Sequence, residues 1–321
     1  MKILIVQNKM GIGDMIIYLP FIEAISKKFS TPIHILVKKS SKAEQFLKDN
    51  TTIDKIIILD RDNVLKNGHH DGFVGFFNLI SDIKKFKFDK IFIFNSSLRF
   101  NLIARAANIK DIHQYTLFKK KNQHMIVAAK ELLEKSLNLK IESNPKISIN
   151  NQSIQNAKLE YKITNAEKNI LLGVGGSGKT KRIPAKTFLA LMRLVVKKYK
   201  CKFFLATGKD YEEQEILKEI LNSEFKDQCY SLDQLNLTEI LPIIKNCDIS
   251  ICNDSSFSHL SSGLGINTIV LMSDTPLLYG SYSPKMFPII PDGENTVTHN
   301  TLGKDKINPN KIFEQLNKIL D

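Results

Sequence analysis

Short runs of apolar, β-branched residues alternate with amphipathic stretches along this chain. In the first half the apolar runs are KILIVQ (2–7), IHILV (33–37), KIIIL (55–59) and DKIFIFN (89–95). Such runs are typical of strands that are buried on both faces of a parallel sheet. The stretches between them have helical spacing and lie near 15–28, 41–48, 74–85 and 98–107. The alternation therefore predicts right-handed β-α-β crossovers and a doubly wound α/β sheet.

The same alternation restarts after a polar stretch at about 140–168, which we interpret as an interdomain connection. Because 321 residues suit two domains of roughly 150 residues each, we predict two Rossmann-like domains, 1–150 and 151–321, that face a central cleft. The last helix, 309–320, is expected to pack back on the first domain. The second half is predicted to hold strands at 169–174, 202–207, 248–252 and 268–272 and helices at 185–198, 211–222 and 255–264.

The formal charge of +13, from 46 basic and 33 acidic residues, favours anionic partners. A general lysine bias is the alternative, because the lysines are spread widely. The basic runs Lys84–Lys85 and Lys119–Lys121 are short and lack interleaved aromatic residues, so nucleic-acid binding is not supported.

Cysteine usage and apolar runs exclude several classes of protein. The four cysteines form no CxxC pair, so we expect reduced, buried thiols, with no metal site and no disulfide framework. We also expect no cofactor. No apolar run approaches the ~20 residues that span a bilayer, and the N-terminus lacks a signal-peptide cleavage site. We therefore expect a cytoplasmic protein.

The first motif, Gly11-Ile-Gly13-Asp14, follows the first strand and opens the first helix. Glycines at this point let the backbone turn tightly and approach a ligand. Asp14 then lies at the helix start, at the carboxyl end of a strand, where ligands bind in such sheets. The alternative is an ordinary N-cap aspartate that accepts a backbone hydrogen bond.

The second motif, Asp254-Ser255-Ser256-Phe-Ser-His259-Leu, follows a buried strand and opens a helix. The free N–H groups and the positive end of the helix dipole favour an anion at this point. Ser255 and Ser256 add hydroxyl donors, and His259 lies one turn further along. We expect Asp254 to cap and position the helix, because a carboxylate repels a phosphate. A capped helix with a partly buried histidine is the alternative.

The third motif, Gly173 to Thr180, satisfies the letters GxxxxGK[ST] of a phosphate-binding P-loop. A P-loop helix, however, starts at the GK[ST] itself, whereas Pro184 is interpreted here as the first helical residue. A phosphate-binding loop of another kind is therefore favoured, with Lys179, Thr180 and Lys181 as candidate donor contacts.

The fourth feature is an acidic residue, Glu212, just beyond the strand at 202–207 and four residues after Gly208. A carboxylate in this place suits ribose hydroxyls. Acidic residues that merely decorate a helix N-terminus are the alternative.

In this order the four features resemble glycosyltransferase family 9, the lipopolysaccharide heptosyltransferases. The similarity lies in Gly13-Asp14 followed by Pro20, in Lys181-Arg-Ile-Pro184, in Gly208 to Glu212 and in the Asp254–Leu260 motif. Three positions differ from the family pattern: Ser256 replaces a glycine, Ile183 an aromatic residue, and the strand at 268–272 is followed by MSDTP in place of a glycine.

The resemblance implies the GT-B architecture, with an acceptor domain followed by a nucleotide-sugar domain. It implies an inverting, metal-independent transfer of a sugar. The favoured donor is ADP-heptose, from which heptose is transferred. Asp14 is then the general base, and Lys181 contacts the donor diphosphate, with Lys179 as the alternative. The acceptor is expected to be an anionic glycolipid of the lipopolysaccharide-core type at the inner membrane surface, reached by a monomeric enzyme.

Gly13, Arg61 and Arg99 are the candidate acceptor contacts. The arginines follow predicted strands of the first domain, and guanidinium groups suit carboxylates and phosphates. Solvated surface arginines are the alternative. Two other functions stay open: a P-loop nucleotide hydrolase or kinase that uses Lys179 and Thr180, and a relative that binds nucleotide sugars without turnover.

Overall fold

Each half of the chain forms its own parallel β-sheet with flanking helices. The computed structural model describes residues 1–9, 11–62, 64–65, 67–117 and 124–321, and the basic run Lys119–Lys121 lies outside these ranges. The chain divides into two compact units, Met1–Pro145 and Lys146–Asp321. The predicted doubly wound α/β class is confirmed in each unit.

The first unit is built on a five-stranded sheet. Its elements are β1 (Ile3–Gln7), α1 (Ile12–Phe29), β2 (Ile33–Lys38), α2 (Ala43–Phe46), β3 (Ile53–Leu59), α3 (Val74–Lys84), β4 (Lys90–Ile93), α4 (Leu98–Ala106), β5 (Asp111–Gln114) and α5 (Met125–Leu137). The strand order is β3-β2-β1-β4-β5 and all pairings are parallel. The central strand β1 is buried at every position, as its unbroken apolar run predicts.

The second unit is built on a six-stranded sheet in the order β11-β10-β9-β6-β7-β8, again all parallel. Its elements are α6 (Asn151–Glu160), β6 (Lys168–Gly173), α7 (Ala185–Val196), β7 (Cys201–Ala206), α8 (Tyr211–Leu221), β8 (Cys229–Ser231), α9 (Leu237–Lys245), β9 (Ile249–Asn253), α10 (Ser256–Gly263), β10 (Thr268–Leu271), β11 (Met286–Ile289) and α11 (Pro309–Leu320). Because the strands are parallel, β6, β7, β9 and β10 all end on one edge of the sheet.

The polar stretch at 140–168 is not wholly a connection, and in this respect the prediction is wrong. Residues Asn151–Glu160 form α6, whose N-cap Asn150 accepts a hydrogen bond from the N–H of Gln152. The helix packs against α9, and the Asn246 side chain donates to the carbonyl of Ile154. Polar composition hid this helix because Ala157 is the one buried residue on it.

The final helix, α11, packs against α7 of its own unit, with Ile312 and Leu316 fully buried in the shared core. Contact with the first unit stays a prediction. Among the described residues, no helix combines the length and the apolar character that crossing a membrane requires.

Candidate active site

A glycine-rich loop follows β6 at the carboxyl edge of the second sheet. The N–H of Gly176 donates a 2.6 Å hydrogen bond to Oε1 of Glu213, a buried residue in the first turn of α8. A Cβ on Gly175 would lie 2.7 Å from the same oxygen, and a Cβ on Gly208 would collide with Oε2. Both positions therefore require the close backbone approach that glycine permits. Glu213 was not singled out in the sequence, although its carboxylate helps to hold this loop.

Arg182 joins the loop to the start of α8. Its Nε donates to the carbonyl of Gly176 at 2.9 Å, and its Nη1 donates to Asp210 at 2.7 Å and to Glu212 at 2.8 Å. Glu212 also pairs with Lys179, so two cations already engage its carboxylate and hold its pKa below the usual value, Lys179 being the stronger influence. Contact between Glu212 and a ribose stays a prediction.

Lys181 and Asp254 form an ion pair that joins the glycine-rich loop to the end of β9. Their Nζ and Oδ2 atoms lie 2.8 Å apart, with the side chain of Lys181 23% exposed and that of Asp254 5% exposed. Burial on its own raises the pKa of Asp254, but the charges of Lys181 and then of His259 outweigh it, so the pKa lies below its usual value. Asp254 is therefore ionised at neutral pH and holds Lys181 beside the start of α10.

The predicted capping role of Asp254 is wrong. Ser255 is the N-cap of α10, and the helix begins at Ser256, so Asp254 lies one residue before the cap. The carboxylate turns to Lys181 because a buried charge needs a partner of opposite sign. Asp254 therefore positions a cation and does not cap a helix.

The P-loop alternative does not fit the geometry of residues 178–185. Lys179–Lys181 form a single 3₁₀ turn, and α7 begins only at Ala185, with Pro184 as its N-cap and not, as predicted, its first residue. Gly178 has extended backbone angles that any residue can adopt. Lys179 points outward, 78% exposed, to its partner Glu212. In a P-loop the lysine begins the helix and reaches the phosphates, whereas here Lys181 is the inward-facing lysine.

The first turn of α10 presents donors at the same edge of the sheet. The hydroxyl of Ser258 donates to the carbonyl of Ser255 at 2.8 Å and so is committed to the helix start. Oγ of Ser255 is buried and has no hydrogen-bond partner in the part of the chain that the structure describes. A buried hydroxyl without a partner is unfavourable by roughly 1–3 kcal/mol. The position of the Ser255 hydroxyl at the N-terminus of α10 therefore suits a site for a ligand's oxygen atoms.

His259 is buried one turn further along and is held by Tyr282, which the sequence analysis missed. The two rings are stacked with centroids 5.6 Å apart, and Nδ1 of His259 lies 2.9 Å from the Tyr282 hydroxyl. Burial raises the pKa of Tyr282, so its hydroxyl stays neutral and available for hydrogen bonding. This contact fixes the plane of the imidazole, and the signal for it in the sequence is weak because Tyr282 lies in a loop with no motif around it.

Asp274 ties the loop after β10 to the glycine-rich loop. Its carboxylate accepts from the N–H of Leu302 at 2.9 Å and bonds the Thr180 side chain, while Oγ of Ser273 donates to the carbonyl of Thr180. Burial on its own raises the pKa of Asp274. The hydrogen bonds from Leu302 and Thr180 outweigh that effect, so the pKa lies below its usual value. Thr180, a predicted donor contact, is therefore held on both its backbone and its side chain.

In the first unit, Asp14 lies in the first turn of α1 and not at its N-cap. The helix begins at Ile12, with Gly11 as N-cap, and Gly13 is inside the first turn. The N–H of Gly11 donates to Oδ2 of Asp14 at 3.1 Å, which leaves the half-buried carboxylate with further acceptor capacity. The alternative interpretation of Asp14 as a residue that satisfies the helix start is thus present in the structure, and it does not compete with a role in proton transfer.

His124, the N-cap of α5, is a neighbour of Asp14 that the sequence analysis did not single out. Burial lowers the pKa of His124, and the charge of Asp14 opposes the shift without reversing it. Its Nδ1 accepts a hydrogen bond from the N–H of Ile126, so the neutral ring carries its proton on Nε2. Asp14 therefore lies near an imidazole whose lowered pKa keeps it neutral at neutral pH.

The two predicted acceptor arginines lie together around Asp71. Nε of Arg61 donates to Oδ1 of Asp71 at 3.0 Å, whereas Arg99 donates to the carbonyls of Gly72 and His70. Burial, then the charge of Arg61, lower the pKa of both Arg99 and Lys38, so Lys38 is a third cation at this place. Each arginine thus has a structural partner, and their contact with an acceptor stays a prediction.

A group of side chains with metal-ligating atoms lies in the same unit: His69, His70 and Asp82. Nδ1 of His70 accepts from the N–H of Asp60 at 3.0 Å, so the neutral ring carries its proton on Nε2, which faces Asp82 at 3.2 Å. Metal-ligating histidines instead donate a hydrogen bond from their second nitrogen. The group is therefore a hydrogen-bonded contact between the β3–α3 loop and α3.

Comparison with known proteins adds independent findings. A family model described as glycosyltransferase family 9 (heptosyltransferase) matches residues 103–314. The lipopolysaccharide heptosyltransferase 1 of Campylobacter coli is 28% identical over 159 residues. That alignment covers 49% of this chain and 46% of the relative, so it spans about half of the length of each.

Two solved structures are similar over nearly the full chain. A glycosyltransferase family 9 protein of Veillonella parvula has a TM-score of 0.78 at 18% identity, covering 99% of this chain and 97% of that one. The E. coli ADP-heptose lipopolysaccharide heptosyltransferase II has a TM-score of 0.72 at 17% identity, with coverages of 100% and 98%. At such low identity the likeness concerns the fold, and it confirms the predicted pair of Rossmann-like units of the GT-B class.

Proposed function

This chain belongs to glycosyltransferase family 9, and from that premise we propose that it transfers a sugar from a nucleoside-diphosphate sugar to an anionic glycolipid. The observation that carries the proposal is the ion pair of Lys181 and Asp254 beside the first turn of α10, at the carboxyl edge of the second sheet. A half-buried ammonium group that a buried carboxylate holds beside the first-turn N–H groups of a helix is an arrangement that suits a diphosphate.

The second unit stabilises the departing nucleoside diphosphate. As the bond to the sugar breaks, negative charge grows on the diphosphate oxygens, and preorganised donors lower the energy of that transition state. Lys181 supplies a full charge, while the α10 backbone N–H groups, Ser255 and Ser256 supply hydrogen bonds. His259, held in plane by Tyr282, supplies a further donor.

The first unit activates the acceptor hydroxyl through Asp14. A hydroxyl is a weak nucleophile, so a carboxylate takes its proton as the attack proceeds. Asp14 keeps acceptor capacity beyond its hydrogen bond from Gly11, and Gly13, directly before it, is proposed to contact the acceptor. A single displacement of this kind inverts the configuration of the anomeric carbon.

The transfer is proposed to need no metal ion, because Lys181 and the helix dipole take the place that a divalent cation holds in other glycosyl transfers. Activity that persists in a chelator supports this point. Activity that is lost in the chelator and returns with magnesium contradicts it.

The donor favoured here is ADP-heptose, because a solved structure with the same fold is described by that donor's name. A thermal-shift screen against ADP-, GDP-, UDP- and dTDP-sugars tests the donor directly. A ligand at 100 times its dissociation constant stabilises the native state by about 2.7 kcal/mol, so the bound nucleotide raises the melting temperature. A shift only with ATP and magnesium would instead support the P-loop alternative, and saturable binding without turnover would leave a non-catalytic binder.

Arg61 and Arg99 are proposed to contact anionic groups of the acceptor, at the inner face of the cytoplasmic membrane, in a monomeric enzyme. The double substitution to glutamine should raise the KM for the acceptor by about tenfold or more, since a hydrogen bond to a charged group contributes about 1.5–3 kcal/mol. Donor affinity, measured by calorimetric titration, should stay at the wild-type value. An unchanged acceptor KM would return both arginines to the interpretation of surface residues.

A further inference from the structure

The first unit carries an exposed apolar surface that the site described above does not use. Its members are the exposed large apolar side chains between residues 64 and 102, namely Val64, Leu65, Phe73, Val74, Phe77, Leu98 and Leu102. Single exposed apolar residues are normal on a protein surface. Apolar residues that form one continuous patch, in contrast, mark an interaction site.

The aromatic members of this surface lie against one another at the start of α3, and Leu98 and Leu102 belong to the neighbouring helix α4. The rings of Phe73 and Phe77 have centroids 5.1 Å apart, and Phe76 lies 5.4 Å from Phe77. Arg99 of α4 lies over the ring of Phe76, and α3 packs against α4. Phe73 is 79% exposed and Phe77 is 54% exposed, so their rings point to solvent at the start of α3.

The turn with Val64 and Leu65 is tied to the same place. Asp62 accepts the N–H groups of Val64 and Leu65, and its own N–H donates to Asp71, two residues before Phe73. The loop is thus held by hydrogen bonds while its apolar side chains face outward. An arrangement of this kind presents apolar groups without requiring them for the core.

Positive charge accompanies the patch. Residues 1–145 hold 24 of the 46 basic and 14 of the 33 acidic residues, so the first unit carries +10 of the formal charge of +13. Arg99 lies against Phe76, and Arg61 and Lys38 lie near Arg99. An apolar surface within a cationic unit is complementary to an anionic lipid surface, which offers both acyl chains and negative headgroups.

We propose that this patch, led by Phe73, Val74 and Phe77, inserts into the surface of an anionic lipid bilayer. The helices α3 and α4 start at the carboxyl edge of the first sheet, the edge at which Asp14 also lies. Docking by the patch therefore brings that edge close to the lipid headgroups. The inference deepens the proposed function, because it gives the enzyme a way to reach an acceptor that is anchored in a membrane.

Vesicle flotation tests the proposal with the full chain and without substrate. The probes are vesicles of phosphatidylcholine alone and vesicles in which about a third of the lipid is phosphatidylglycerol. The wild type should bind the anionic vesicles and release as salt is raised. The double variant Phe73→Ser/Phe77→Ser should bind at least about tenfold more weakly, since two aromatic rings no longer leave water.

Leu159→Ser is the control, because Leu159 is 77% exposed, close to the 79% of Phe73, but belongs to α6 of the second unit. The Leu159→Ser variant should bind vesicles like the wild type. Melting curves should show that the double variant is folded. If the double variant is unfolded, the single variant Phe73→Ser repeats the test. Equal vesicle binding by wild type and double variant, or no vesicle binding by the wild type, overturns the proposal. A second outcome is that the wild type does not bind vesicles, sediments as a dimer, and loses the dimer in the double variant. This result would assign the patch to self-association and would also overturn the proposal. Since no sugar transfer is measured, these results stand apart from the fate of the proposed function.

Discussion

The ammonium group of Lys181 lies 2.8 Å from the buried carboxylate of Asp254, and the pair joins the glycine-rich loop to the start of α10. Neither residue is free to act alone: the lysine offsets the buried charge, and the carboxylate aims the lysine. Because Lys181 is held in place before any ligand arrives, a diphosphate that binds there does not have to order the lysine side chain. The entropic cost of binding is therefore smaller.

The pair predicts how stability depends on pH. Because the folded-state pKa of Asp254 is lowered from its ordinary value of 3.8, its contribution to stability is present above that pH and is lost as the pH falls through the folded pKa. In Lys181→Met the lysine no longer opposes the effect of burial, so the folded-state pKa of Asp254 should rise. A raised folded-state pKa means that the variant loses stability as the pH rises and the buried carboxyl group must ionise.

The difference in unfolding free energy between wild type and Lys181→Met should therefore grow from about pH 3 to about pH 6, reaching about 1–3 kcal/mol. Urea denaturation at a series of pH values measures it, with Lys179→Met as control because Lys179 is exposed. A difference that is constant over this range would mean that the pair does not control the ionisation of Asp254.

Substitutions at two glycines should separate the observed loop from a P-loop. Gly208→Ala should destabilise the protein and weaken donor binding, because the new Cβ collides with the Glu213 carboxylate that holds Gly176. Gly178→Ala should be close to wild type, since its backbone is extended and the nearest atom to a Cβ is Oγ1 of Thr180 at 4.0 Å.

Melting temperature and calorimetric titration with the nucleoside diphosphate measure both variants. In a P-loop the order reverses, because the glycine before the lysine cradles phosphate. Loss of nucleotide binding in Gly178→Ala alone would therefore argue against the geometry described here.

His259 and Tyr282 should act as a unit in nucleotide binding. His259→Ala should weaken binding of the nucleoside diphosphate by about 1.5–2 kcal/mol, roughly tenfold to thirtyfold, which is the lower part of the range for one hydrogen bond to a charged group. Tyr282→Phe keeps the stacked ring but removes the hydroxyl that contacts Nδ1, so it should weaken binding by a smaller factor. Unchanged affinity in both variants would make His259 a residue of the core only.

The sequence predicted the fold better than the details of the site. Parallel strands were predictable because burial on both faces leaves runs of apolar residues, as in Ile3–Val6 of β1. The helix α9 was missed despite its capping box, in which Asn236 accepts the N–H of Glu239, because Pro242 interrupts its helical pattern. The strand β8 is only three residues long, too short for a periodic signal.

Within the site, residue types at strand ends were predictable but their partners were not. Lys181 and Asp254 are 73 residues apart in sequence, and only the adjacency of β6 and β9 brings them together. For the same reason the sequence could not show that Arg182 and Glu213 hold the glycine-rich loop, or that Tyr282 orients His259. Long-range pairing decides these roles, and local pattern does not record it.

The most direct test of the account is the rate at which ADP is released from ADP-heptose in the presence of a glycolipid acceptor and EDTA, for the wild type and for Asp14→Asn. We expect a wild-type rate that EDTA does not reduce. We also expect the variant to bind the donor normally but to turn over about 10²–10⁴-fold more slowly, the usual range for a lost general base. A wild-type rate that requires a divalent cation, or an Asp14→Asn rate equal to that of the wild type, would contradict it.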